Sequence, residues 1–157
     1  MSEQEQQAIL LEIRKLYVDD ISVEVPNAPH VFQEELSPEI SLGVTHEIEE
    51  LKEEGYYAVK LRLTVTAKDE KTEKSIYLTE VQQSGVFEIQ GLEPAQLHHA
   101  LNVYCPTTLY PYAREVISSA INRAGFPPLY LQPVNFDAIY QHKLQQAQQE
   151  SAQSGQA

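Results

Sequence analysis

The clearest alternation of apolar and polar residues lies between Tyr56 and Lys68. Tyr57, Val59, Leu61, Leu63, Val65 and Ala67 take the odd positions, and Lys60, Arg62, Thr64 and Thr66 the even ones. A period of two buries one set and leaves the other wet, which predicts a β-strand. Ile21, Val23 and Val25 alternate with Asp20, Ser22 and Glu24 in a strand that Pro26 ends. Leu11, Ile13 and Tyr17 extend that pattern upstream, with a bulge at Asp19-Asp20. Ile40, Leu42, Val44 and Ile48 mark another strand, and residues 75–83 a fourth. Asp69-Glu70-Lys71 is a polar connection short enough for a hairpin. Four strands with no helix among them predict an antiparallel sheet.

After Gly91 the period lengthens. Ala113, Val116, Ile117, Ala120, Ile121 and Ala124 recur at helical spacing opposite Arg114, Glu115, Ser118 and Arg123. Pro111 suits either the first turn of this helix or a kink within it. Gly125 supplies a left-handed cap, and Pro127-Pro128 stop the helix there. Its small-residue face, Ala113 and Ala120 included, invites close approach of another helix. Asn135 is a good N-cap for a last helix through Ala138, Ile139 and Leu144. A sheet followed by two C-terminal helices is the α+β class. The folded unit spans residues 8–145. The polar segment 1–7 and the Gln-rich tail 146–157 bury too little apolar surface to order themselves.

Charge narrows the function. The 157 residues carry 11 Lys and Arg against 23 Asp and Glu, a net −12. Nucleic-acid phosphates and anionic membranes both call for clustered cations, so neither is an expected partner. No apolar run is long enough for a membrane span, and the acidic start does not read as a signal peptide. Cys105 is the single cysteine, which suits a reducing, cytoplasmic setting. No catalytic constellation stands out. His98-His99 reads as structural or surface, and Cys105 before Pro106 as a small packed hydrophobe. His46 beside Glu47, Glu49 and Glu50 could hold a cation, but a solvated acidic face is the commoner outcome. No phosphate-binding, nucleophile-elbow or zinc motif is present, so neither cofactor nor metal is expected.

Two helices cannot cover four long strands, and the surplus apolar surface calls for oligomerisation or partners. Two connections are also too apolar for ordinary loops. Val31 and Phe32 end a proline-bounded crossover, and Phe126, Leu129, Tyr130 and Leu131 fill the linker between the helices. Together with Ile40 and Leu42 they form a candidate groove for apolar segments of varied sequence.

The segments Asp20-Ile21-Ser22-Val23-Glu24, Pro26-Asn27-Ala28-Pro29-His30-Val31-Phe32 and Glu80-Val81-Gln82-Gln83 fall in one order. They precede Tyr104-Cys105-Pro106, Pro111-Tyr112-Ala113-Arg114-Glu115 and Pro133-Val134-Asn135-Phe136-Asp137-Ala138. In these motifs the chain resembles the bacterial protein-export chaperone family SecB over about residues 10–143. It departs at Leu36, where many members carry Trp, and in its Gln-rich tail, which many members have more acidic. The resemblance implies an ATP-independent holdase, with no enzymatic activity, that keeps unfolded preproteins export-competent and delivers them to the ATPase SecA. It implies a homotetramer built as a dimer of dimers, with Tyr77, Val81, Gln83, Ala113 and Ala120 at subunit contacts. It also implies that Asp20, Glu24, Leu78 and Glu80 receive the basic, zinc-containing C-terminal segment of SecA, the zinc belonging to the partner. Two rival readings stand beside it: a SecB-like chaperone serving a toxin–antitoxin pair, and a small-molecule-binding α+β domain.

Overall fold

The computed structural model describes residues 8–155. The segment 1–7, expected to be disordered, lies outside them. Strands β1 (Leu10–Glu24), β2 (Pro38–Glu50), β3 (Tyr56–Asp69) and β4 (Ser75–Gln90) form one antiparallel sheet in the order β1-β4-β3-β2. The period of two in β3 is what organises it. Val59, Leu61, Leu63, Val65 and Ala67 stand opposite Gly85, Gln83, Val81, Thr79 and Tyr77 of β4, and this face is buried under helix. The even positions form the other face, which no helix among the described residues covers. The Asp19 bulge is present in β1, and a second one falls at Arg14. Residues 25–37 carry the chain from the β1 edge to the β2 edge, with Val31 buried in a short 3-10 turn.

β4 runs on to Gln90, well past the Gln83 end that its polar sequence suggested. Gln83 and Ser84 are buried inside the strand, and the Gln83 amide donates to the Tyr17 carbonyl at 3.1 Å beside the bulge. Polar residues here serve the ladder and do not end it. Gly85 sets the distance between layers. A Cβ there would lie 2.9 Å from the Phe87 ring, 3.1 Å from a Leu109 methyl and 3.2 Å from the Lys15 carbonyl oxygen. Gly85→Ala is therefore expected to destabilise the fold by about 1–3 kcal/mol, read as a lower denaturant midpoint.

The long helix begins much earlier than its periodic half. Helix α1 (Pro94–His99) passes through a π turn (Ala100–Tyr104) into α2 (Cys105–Arg123). Pro106 cannot donate to the carbonyl four residues back and its ring would crowd it. The wider turn, closed by the Cys105 N–H donating to Ala100, absorbs that conflict. Pro111 lies inside α2, not at its start. At the far end Gly125 (φ 98°) donates to Asn122 and Phe126 to Ile121, the paired bonds of a left-handed C-terminal cap.

Within the protomer the small-residue face of α2 turns toward the sheet. Ala113 is buried with Ile117 and Ile121 in the same core cluster as the sheet, and Ala120 is buried beside them. The reason is geometric: small residues let the helix settle against Gly85 and its neighbours. Helix α3 (Phe136–Ser154) starts as expected, with the Asn135 carboxamide oxygen accepting from the Ala138 N–H at 3.0 Å. It continues through the Gln-rich segment, beyond the boundary at 145. That stretch is exposed, and Gln and Ala sustain helix there by propensity without core packing.

Candidate functional site

An apolar cleft of about 380 Å³ opens where the crossover, the start of β2 and the α2–α3 linker meet. Leu36, Pro38 and Ile40 form one wall, Ile76 and Tyr77 the floor, and Phe126 with Pro127, Pro128 and Leu129 the other wall. Phe126 stacks between Phe32 and Tyr77, with ring centroids 5.2 and 5.0 Å away. Chain reversal at Gly125 aims it there, since a Cβ on that glycine would press on the Phe32 ring at 3.1 Å. Prolines on both walls fix backbone shape and leave few donors, so the cleft favours apolar side chains over any particular sequence.

The groove residues expected from sequence divide in the structure. Ile40, Phe126 and Leu129 line the cleft, and Phe32 packs its ring on Phe126 behind that wall. Leu42 lies two positions along β2 from Ile40, on the same face and part-exposed. Val31 is only 3% exposed, so it supports the crossover from beneath and offers no surface. Tyr130 and Leu131 line a separate depression against Pro111, Arg114 and Ser118 of α2. Leu36, Pro38, Ile76 and the linker prolines were missed. The signal for Ile76 and Tyr77 was their place at the start of β4, where the sheet runs out from under α2.

The residues expected at subunit contacts are already covered by their own chain. Tyr77, Val81, Gln83, Ala113 and Ala120 are all buried within the single protomer. Exposed apolar side chains lie on the β1 edge strand, at Ile13, Val18, Ile21 and Val23. These pattern as strand residues facing the helix layer, but α2 covers only the middle of the sheet.

The uncovered face gathers the expected acidic residues. Glu24 pairs with Leu78, Ser22 with Glu80 and Asp20 with Gln82 across the β1–β4 ladder, so Asp20, Glu24, Leu78 and Glu80 share one patch. Tyr77 lines the cleft, while Leu78, the next residue, points to the acidic side. The bulge turns Asp19 toward Lys60, which it pairs at 2.7 Å. Asp20 and Glu24 form no ion pair among the described residues.

The histidines hold the helices in place. His46 bonds Asn102 of the π turn at 2.9 Å, and Asn102 donates on to the His98 carbonyl. Glu47 and Glu49 point to the opposite face of β2, so they cannot join His46 around a cation. His98 meets the Tyr140 hydroxyl at 2.6 Å and His99 the Asp137 carboxylate at 3.2 Å, docking α3. The Cys105 thiol is buried and pushed up to about 12 by that burial, so it stays protonated and packs as a hydrophobe.

Burial also lowers the His46 pKa, against the Asn102 hydrogen bond and with help from Lys143. A depressed folded value means the unfolded chain takes the proton first as pH falls below about 6.5. Stability from this group is then present above that pH and lost as pH falls through the folded value. Denaturant midpoints should drop between pH 7 and 5, and His46→Gln should flatten that drop.

Residues 3–147 match the family described as preprotein translocase subunit SecB. The chain is 68% identical, over the full length of both proteins, to the protein-export protein SecB of Dichelobacter nodosus. The chain belongs to the SecB family. It is therefore a protein-export chaperone, not an enzyme, and holds preproteins for export. The SecB protein of Chromobacterium violaceum is 48% identical, covering 94% of this chain and 97% of that one. A solved SecB-like chaperone of Mycobacterium tuberculosis, in complex with an antitoxin peptide, superposes with a TM-score of 0.60. It covers 80% of this chain and 91% of that one at 16% identity, which establishes the shared fold alone. Among the described residues no helix is long and apolar enough to cross a membrane.

Proposed function

We propose that the cleft at Ile40, Phe126 and Leu129 holds apolar stretches of unfolded preproteins, and that the acidic sheet face docks SecA. The observation that carries this reading is the separation of the two surfaces: aromatic and aliphatic walls on one side of β4, carboxylates on the other. A client binds only while unfolded, so capture competes with folding by mass action. Free chaperone at 100 times its dissociation constant shifts that balance by about 2.7 kcal/mol, a sizeable part of the roughly 5–15 kcal/mol that holds a typical domain folded. One cleft of this size takes only a few side chains. Assembly supplies the rest, because a second segment of the same client then binds at high effective concentration.

The assembly in this reading is a homotetramer, a dimer of dimers, working in the cytoplasm. The β1 edge supports it: an unpaired backbone and a row of exposed Ile and Val form a surface that a monomer does not maintain for long. Ile21→Glu should shift the protein to smaller species in sedimentation velocity. An unchanged tetramer would remove β1 from the interface.

The deciding measurement mixes the protein with a slowly folding preprotein, records the refolding delay and then adds SecA. Ile40→Asp combined with Leu129→Asp should abolish most of the delay, since each lost apolar contact costs about 1.5–3 kcal/mol, while SecA binding persists. A full delay in that variant places the client elsewhere. The Mycobacterium relative's antitoxin client does not carry over at 16% identity, and the 68% identical relative is an export protein.

A further inference from the structure

Glu80, at the centre of the acidic face, is not a bare carboxylate. Arg62 Nε lies 3.4 Å from its Oε1, and the Gln82 amide donates to the same oxygen at 3.3 Å. The Thr64 hydroxyl donates to Oε2 at 3.4 Å. All three are long beside the roughly 2.7–2.9 Å of a well-made charge-assisted bond. Arg62 Nε is withdrawn from solvent yet makes no aligned hydrogen bond, so the fork geometry that makes Arg–carboxylate pairs strong is not used. The contrast with the neighbouring pairs is plain. Lys60 holds Asp19 at 2.7 Å, and Arg14 grips Glu88 through two nitrogens. The Arg62 and Glu80 side chains are 39% and 34% exposed, within reach of an incoming chain.

We propose that Arg62 is a resident counter-ion of Glu80 which a cation of the docking partner displaces, so that Arg62 sets how basic a segment must be to dock. The inference rests on the docking role of the acidic face given above. Before docking, Arg62 partly neutralises the patch and keeps singly charged or neutral peptides from settling on it. A segment with several Lys or Arg side chains engages Asp20 and Glu24 together, which have no ion pair among the described residues, and then takes over Glu80. The guanidinium stays close by and opposes the newcomer. Arg62 is thus a specificity residue that lowers affinity for every cation and excludes weakly basic ones.

The test uses the full-length protein and the zinc-loaded C-terminal segment of SecA, titrated calorimetrically at low and at physiological ionic strength. Arg62→Met keeps the aliphatic stem and removes the charge, while Thr64 and Gln82 remain to hold the carboxylate. It should bind about three- to tenfold more tightly at low salt, with the advantage shrinking as salt rises. Arg62→Gln should move the same way, which guards against a folding defect in one variant. Most of the gain should vanish when Glu80→Gln is added. Unchanged or weaker binding overturns the inference, because Arg62 would then only position Glu80. A gain that survives in full beside Glu80→Gln overturns it too, as a general charge effect. If Glu80→Lys binds the segment as the unaltered protein does, the docking role of the face itself has failed, a different result from either.

Discussion

Glu80→Lys is expected to weaken association with SecA by about 30-fold or more at low salt, while the refolding delay of a preprotein stays nearly unchanged. The substitution removes an attraction, adds a repulsion toward a basic partner and places a second cation against Arg62. The lost attraction and the added repulsion act in the same direction, and two rim-type charge effects of about 1 kcal/mol each give that factor. Raising the ionic strength should shrink the difference, because exposed charges are screened within about 10 Å at 0.1 M salt. The cleft is lined by other residues and Glu80 faces away from it, so holding has no reason to follow. Equal loss of both activities would mean that the two faces of the sheet do not divide the work.

Phe87→Ala should be the most damaging single change to the fold. Phe87 is fully buried between β4 and the helix layer and pairs with Ile13 on β1 and Tyr57 on β3. Removing the ring leaves a void that close-packed neighbours cannot fill, at a cost of roughly 3–5 kcal/mol. At about 2–4 °C per kcal/mol for a chain of this length, the melting temperature should fall by roughly 6–20 °C. The comparison needs equal protomer concentrations, since assembly adds its own stabilisation. A loss below 1 kcal/mol would mean that the void collapses, and that β1 is less firmly seated than its pairing implies.

Much of the fold was legible because it rests on local rules. The alternation in β3, the Asp19 bulge, the Gly125 cap and the Asn135 cap each follow from a few neighbouring residues and appear where they were read. The acidic patch was legible only through family resemblance. Its physical basis, the register that sets Asp20, Glu24, Leu78 and Glu80 side by side, needs the β1–β4 pairing.

The failures share a cause. Gln83 and Ser84 looked like the end of a strand because a buried polar residue and a turn residue are identical in sequence. Gln83 stays in the strand because the Tyr17 carbonyl is waiting for its amide across the ladder, and Ser84 is carried in beside it. The face of α2 with Ala113 and Ala120 looked like a seat for another helix, since small residues permit close approach without naming what approaches. Val31 and Phe32 are adjacent and both apolar, yet one is core and the other is half exposed against Phe126.

Alone, the sequence determined which residues alternate, where chains must turn and how much negative charge the molecule carries, all properties of short range. Tertiary structure decided which apolar side chains stay uncovered. That depends on how far α2 reaches across the sheet and where the linker folds back, distances set by packing between segments remote in the chain.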